Sequence, residues 1–139
     1  MEQYYECSVR YEKILENGTR KKVSEKYLVN AMSFTEAESK MTGFIALLIA
    51  GEFDIFAIKR DNVSEIALND DKDKFYRCKV NLITLDEKTG TEKKSPIICM
   101  VMANNSVEAE ESLKKLMKGT ITDWETHTIA ESPVLDLVS

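Results

Sequence analysis

The chain has 139 residues, 43% of them hydrophobic, and a formal net charge of −5; this suits one compact domain or two tightly packed halves, not two independent domains. The acidic balance argues against a protein that coats nucleic acid through phosphate contacts. Phe44 to Ala50, the apolar run inside one predicted helix, is only seven residues long, far short of a membrane span, and the polar start Met1-Glu2-Gln3-Tyr4-Tyr5 lacks signal-peptide character, so a cytoplasmic location is expected.

Tyr5, Cys7, Val9 and Tyr11 alternate with Glu6, Ser8, Arg10 and Glu12, the period-2 pattern of a half-buried strand. Glu16-Asn17-Gly18-Thr19 supplies a hairpin turn, since Asn-Gly tolerates positive φ. Lys22 to Ala31 returns as a second strand with Glu25, Tyr27, Val29 and Ala31 on one face. Ser33-Phe34-Thr35-Glu36 then reads as a capping box, a side-chain oxygen followed three residues later by Glu. The helix it starts sets Phe34, Ala37, Met41, Ile45 and Leu48 on one stripe. Gly43 inside it costs about 1 kcal/mol against Ala, which suggests a kink or close packing, and Gly51 is expected to close it. Phe53 to Arg60 makes a third strand, and a short strand follows over Val63 to Leu68.

The polar run Asn69-Asp70-Asp71-Lys72-Asp73-Lys74 reads as a flexible linker; it lacks the Gly and final Glu of a calcium-binding loop. Beyond it the plan repeats. Tyr5-Glu6-Cys7-Ser8-Val9 is echoed by Tyr76-Arg77-Cys78-Lys79-Val80, 71 residues on, and Ser33-Phe34-Thr35-Glu36-Ala37-Glu38 by Asn105-Ser106-Val107-Glu108-Ala109-Glu110, 72 residues on. Glu52-Phe53-Asp54 is answered by Asp123-Trp124-Glu125. Such ordered self-similarity implies an internal duplication. The expected fold is therefore α+β, a duplicated ββαβ(β) unit with antiparallel sheets and one helix per repeat: residues 1–68, a linker at 69–74, and residues 75–139.

One difference between the copies is informative. Ile97, Cys99, Val101 and Ala103 match the inward face of the first copy, but Ile98, Met100 and Met102 stand where the first copy has Lys26, Leu28 and Asn30. A strand apolar on both faces is buried on both, so the other repeat or a second chain is expected to cover it. This makes Ile98, Met100 and Met102 candidate contact residues of a homo-oligomer.

Nothing in the sequence forms a catalytic set. His127 is the single histidine, and no Gly-x-Ser-x-Gly elbow, phosphate-cradling glycine loop or His-Glu-x-x-His helix occurs. Cys7, Cys78 and Cys99 fall at inward strand positions, where free cysteine serves as small apolar filler, and they have no metal-ligand spacing. No cofactor and no metal are expected, and the chain reads as a non-enzyme. Local basic clusters remain: Arg20-Lys21-Lys22 and Lys93-Lys94 beside the two hairpin turns, and Lys59-Arg60 at a strand end. Two equivalent hairpins could place basic lips around one anionic ligand.

The run Cys7-Ser8-Val9-Arg10-Tyr11-Glu12-Lys13, with Glu16-Asn17-Gly18, Tyr27-Leu28-Val29-Asn30-Ala31, Ser33-Phe34-Thr35-Glu36-Ala37-Glu38 and Gly51-Glu52-Phe53, resembles a family of short uncharacterised proteins from Bacteroidetes and their phages and mobile elements. Thr84-Leu85-Asp86-Glu87-Lys88-Thr89-Gly90 and Met117-Lys118-Gly119-Thr120 extend the resemblance over the second half. It implies a phage-linked setting in a bacterial host and brings no catalytic or binding residues with it. The leading expectation is a non-enzymatic protein that sequesters a small anionic ligand, a cyclic or ADP-ribose-type nucleotide signal of host defence. Arg10, Lys22, Arg60, Arg77, Lys79 and Lys94 are the expected phosphate contacts, and Tyr4, Tyr11 and Trp124 the candidates for stacking on a base. The competing expectation is a homo-oligomeric module that grips another protein or DNA.

Overall fold

The computed structural model describes residues 3–139. Four elements open the chain: β1 (Gln3–Ile14), β2 (Arg20–Ala31), α1 (Phe34–Leu48) and β3 (Phe53–Asp61). A short strand β4 (Val63–Ala67) follows, and the plan then recurs as β5 (Lys74–Leu85), β6 (Glu92–Ala103), α2 (Ser106–Met117), β7 (Asp123–Ser132) and β8 (Val134–Val138). The duplicated α+β architecture expected from the sequence is the one observed.

The local chemistry explains the elements. Gly18, at φ +81°, turns the β1–β2 hairpin, with the Leu15 N–H donating to the Thr19 carbonyl at 2.8 Å and the Thr19 N–H to Asn17 Oδ1 at 3.0 Å. Gly90, at φ +69°, does the same for β5–β6. Both helices start as their capping boxes require: Ser33 Oγ accepts from the Glu36 N–H at 3.1 Å, and Asn105 Oδ1 from the Glu108 N–H at 3.0 Å. The Glu108 carboxylate also reaches back to the Asn104 N–H at 3.2 Å. Ser33→Ala and Asn105→Ala are each expected to cost about 1 kcal/mol, read as a lowered urea midpoint with unchanged slope.

Each helix packs on one face of its own sheet. Tyr5, Cys7, Val9, Tyr27, Val29 and Ala31 meet Ala37, Met41 and Ile45 in the first core. Tyr76, Cys78, Val80, Cys99, Val101 and Ala103 meet Ala109, Leu113 and Met117 in the second. Full burial of each large side chain contributes about 1.5–3 kcal/mol. The β1–β3 ladder shifts register at Ser8/Val9 and the β5–β7 ladder at the equivalent Lys79/Val80, so even the irregularity is duplicated.

The sheet orders are β3-β1-β2-β8 and β4-β6-β5-β7. Within each, three strands are antiparallel, while the short edge strand is parallel: β8 to β2, and β4 to β6. The last strand of each repeat thus pairs with the second strand of the other. The compact units are consequently not the repeats. One comprises the chain up to Asp61 together with Pro133–Ser139, and the other is Asn62–Ser132. The expected linker at residues 69–74 joins β4 to β5 inside the second unit. It forms a turn, with the Lys72 N–H on the Asn69 carbonyl at 3.1 Å and Lys72 Nζ on Glu108 at 2.8 Å.

Of three further expectations, two need correction. β2 and β6 carry the same burial pattern along their length, with Leu28 and Met100 both fully buried. The second face of β6 is thus covered at Met100, as expected, and β2 is covered to the same degree at Leu28. Gly43 is exposed, and a Cβ there would meet nothing within 4 Å, so close packing does not account for it. Helix α1 ends at Leu48 with Ile49 as an extended cap, two residues before Gly51.

Candidate functional site

Strand β1 outruns its neighbour. β3 begins at Phe53, opposite Tyr11, whereas β1 continues to Ile14 against Arg20 of β2. Glu12 to Ile14 therefore keep a backbone edge that β3 does not cover. This edge, the turn at Gly51 and Glu52, and the start of β3 enclose a cleft of about 580 Å³, within the size range of small-molecule sites.

Strand alternation decides which side chains enter it. Arg10, Glu12 and Ile14 share a face with their cross-strand partners Ser24, Lys22 and Arg20. Arg10, Arg20 and Lys22 consequently line the same cleft, with Tyr11 beside them. Tyr11 belongs to the opposite face, which packs toward α1. It also lines a neighbouring concavity of about 550 Å³ with Lys13, Glu25, Tyr27, Leu48 and Ile49. Tyr11, Glu12, Ile14 and Gly51 border both hollows, which meet around the edge of β1.

Two cations of the cleft are held by acids. Arg10 Nη2 lies 2.9 Å from Asp54 Oδ2, and its guanidinium sits over the Phe56 ring, 4.7 Å from the centroid. Arg20 stands 3.7 Å from Glu12. These pairs are exposed, so each is worth only about 0–1 kcal/mol, and a competing anion can take the place of the carboxylate. On the other face, burial foremost and then a hydrogen bond to Glu25 raise the pKa of Tyr11. Burial, followed by the Glu25 charge, pushes Tyr27 to about 12. The Tyr27 hydroxyl donates to Glu25 Oε1 at 3.3 Å. Both phenols are neutral donors at physiological pH.

Arg10, Tyr11 and Lys22 are thus brought together, and Arg20 joins them. Arg20 belongs to the basic hairpin cluster noted in the sequence but was not among the expected phosphate contacts, although its i,i+2 spacing from Lys22 on one strand already put both on one face. Tyr4 and Arg60 are not part of the group. They lie where β1 pairs with the end of β3, Arg60 opposite Tyr5, about 20 Å along the strand from Tyr11.

Residues 3–139 match the family model described as a domain of unknown function, DUF4494. The chain belongs to that family. No curated protein and no solved structure matches it.

Within this DUF4494 chain, the second unit acts as an internal comparison for the first. Asn81, Leu82 and Glu92 stand at the positions of Arg10, Tyr11 and Arg20. Of the cleft cations only Lys94 is retained, opposite Lys22 in the repeat, and its Nζ is 2.8 Å from Glu125. That ion pair, with a weaker hydrogen bond from Asn81 at 3.4 Å, holds the Glu125 carboxyl below the usual range. The remaining candidates are placed otherwise. Arg77 Nη2 donates to Asn62 Oδ1 at 2.8 Å, Lys79 is exposed, and Trp124 packs on the second core. Met100 has no exposed surface, and Ile98 and Met102 are half-buried. A single copy of the chain already buries Met100, so covering it requires no second chain.

The buried thiols are poor nucleophiles. Cys7, Cys78 and Cys99 are free and have no exposed surface, and burial pushes the first two to about 11, leaving them protonated at neutral pH. His127 is exposed on β7. Among the described residues no helix is long and apolar enough to cross a membrane.

Proposed function

We propose that the protein is a non-catalytic binding protein whose first unit takes up one small anionic ligand bearing a flat ring. The reading rests on one observation: Arg10, Arg20 and Lys22 line a single cleft, which Tyr11, from the opposite face of β1, borders at the free edge of the strand. Guanidinium forks bind phosphate oxygens bidentately, and an aromatic face beside them accepts a base. A nucleotide of the cyclic or ADP-ribose type combines both features. The phenols stay neutral on binding, and Arg10 and Arg20 exchange a carboxylate for a phosphate. The substitutions Asn81, Leu82 and Glu92 in the second repeat support one site per chain.

The biological setting proposed with it is sequestration. The sequence resemblance to proteins of Bacteroidetes phages and mobile elements supports a protein acting in the bacterial cytoplasm, where it withdraws a nucleotide signal of host defence. Native mass spectrometry of gently purified protein, alone and with a panel of cyclic and ADP-ribose-type nucleotides, tests this reading. A discrete added mass of one nucleotide per chain is the expected result. A chain that stays ligand-free across the panel would reject it.

A further inference from the structure

The two helices start alike and end differently. Ala37, Met41 and Ile45 bury the same face as Ala109, Leu113 and Met117. After that, α2 stops, with Lys114 and Lys115 in its last turn and Lys118, Gly119 and Thr120 beyond it. Helix α1 runs on and has no basic residue in its last turn. Instead it presents Leu47 and Leu48, which are 88% and 62% exposed. At the nearby hairpin end Ile14 and Leu15 are exposed as well, and Ile14 and Leu48 border the same hollow.

The second repeat shows that this apolar end is not a requirement of the fold. At the positions of Leu47 and Leu48 it has Gly119 and Thr120, and at that of Leu15 it has Asp86; only Leu85 stays apolar. The exposed Ile14, Leu15, Leu47 and Leu48 together amount to a patch on the order of 400 Å², the size at which patches on monomers are often functional.

The rim decides the occupant. Lys13, Lys21, Glu16 and Glu52, all exposed, give it both signs of charge. A twofold contact needs a surface complementary to itself, and a mixed rim meets that need because each cation can face an anion of the other copy. An anionic lipid surface would call for a basic rim, and the chain carries a net charge of −5.

We propose that this patch, formed by the end of α1 and the β1–β2 hairpin, is the contact through which two copies of the chain associate. Two such patches with their rims bury roughly 1,000 Å², the low end for specific interfaces, so the dimer is weak and concentration-dependent. Ile14 and Glu52 also line the cleft assigned to the anionic ligand, so association is measured on ligand-free protein.

Sedimentation velocity on the full chain, from low micromolar to several hundred micromolar, tests it. Wild type should pass from monomer to dimer across that range. Leu47→Lys/Leu48→Lys should weaken association at least tenfold and keep its thermal midpoint, since both positions are exposed and a cation suits the last helical turn. Ile14→Lys, on the hairpin, breaks the same interface without touching the helix. Ile121→Lys, at a fully exposed position of the second unit, should dimerise as wild type does. A wild-type protein that stays monomeric throughout would overturn the proposal, as would hairpin and helix variants that dimerise normally.

Discussion

Val138→Asp is expected to destabilise the first unit by about 3–5 kcal/mol, the cost of an uncompensated buried charge, although Val138 lies at the end of the second repeat. Val138 is opposite Val29 in the parallel β2–β8 pairing and is 6% exposed in the first core, among Val29, Ala37, Met41 and Ile45. An aspartate there either stays ionised without a partner or takes up a proton at neutral pH, and both are costly. Stability of a small domain is only about 5–15 kcal/mol, so much of it is lost. Amide hydrogen exchange locates the damage: protection should fall in β1, β2 and α1, while β5, β6 and α2 retain theirs. Loss confined to β5–β7 would mean that β8 belongs with its own repeat and that the exchanged-strand topology is wrong.

Met41→Ala and Leu113→Ala form the second pair of large effects. Both side chains have no exposed surface and occupy equivalent helix positions over separate core clusters. Truncating either removes apolar packing and leaves a cavity, at about 2–5 kcal/mol each. At about 4–8 °C per kcal/mol for a domain of this size, the melting transition should drop by on the order of 10 °C or more. Each variant should report on its own unit in hydrogen exchange. A drop of only a degree or two would indicate that the helices are not seated on the sheets as described.

The parts of the fold set by local chemistry were legible. The capping boxes at Ser33 and Asn105, the Asn17-Gly18 turn and the alternation around Cys7 and Cys78 each specify an element by hydrogen bonding or periodicity alone. Their recurrence revealed the duplication. Strand exchange was not legible, because Val63–Ala67 and Val134–Val138 declare a strand through β-branched and apolar residues but not its partner, which depends on non-local pairing. The helix end was misjudged for a related reason. Gly51 is a natural stop, yet Ile49 already turns extended, and nothing in Leu47-Leu48-Ile49 marks that point.

The cleft was legible in part, and physically for one reason. Alternation within a strand places Arg10 and Lys22, but ion pairing across strands is not visible in a linear sequence. Lys94 stands where Lys22 does and is engaged by Glu125, Arg77 is engaged by Asn62, and Asn81 takes the place of Arg10, so the second unit does not repeat the cluster of cations. The apolar second face of β6 was legible as a covered face, but what covers it was not. Met100 is hydrophobic where a partner could have been, and a single chain already buries it.

The most direct test of the account is the location of the binding site. Affinity for the nucleotide that binds best should be measured by calorimetry for Arg20→Ala/Lys22→Ala and for Lys79→Ala/Lys94→Ala. The first pair of substitutions removes cleft cations and should weaken binding by about tenfold or more for each charge-assisted hydrogen bond removed, with stoichiometry of one ligand per chain in the wild type. The second pair, in the other unit, should leave affinity unchanged. Equal weakening in both, or weakening only in the second, would contradict the assignment of the cleft beside β1.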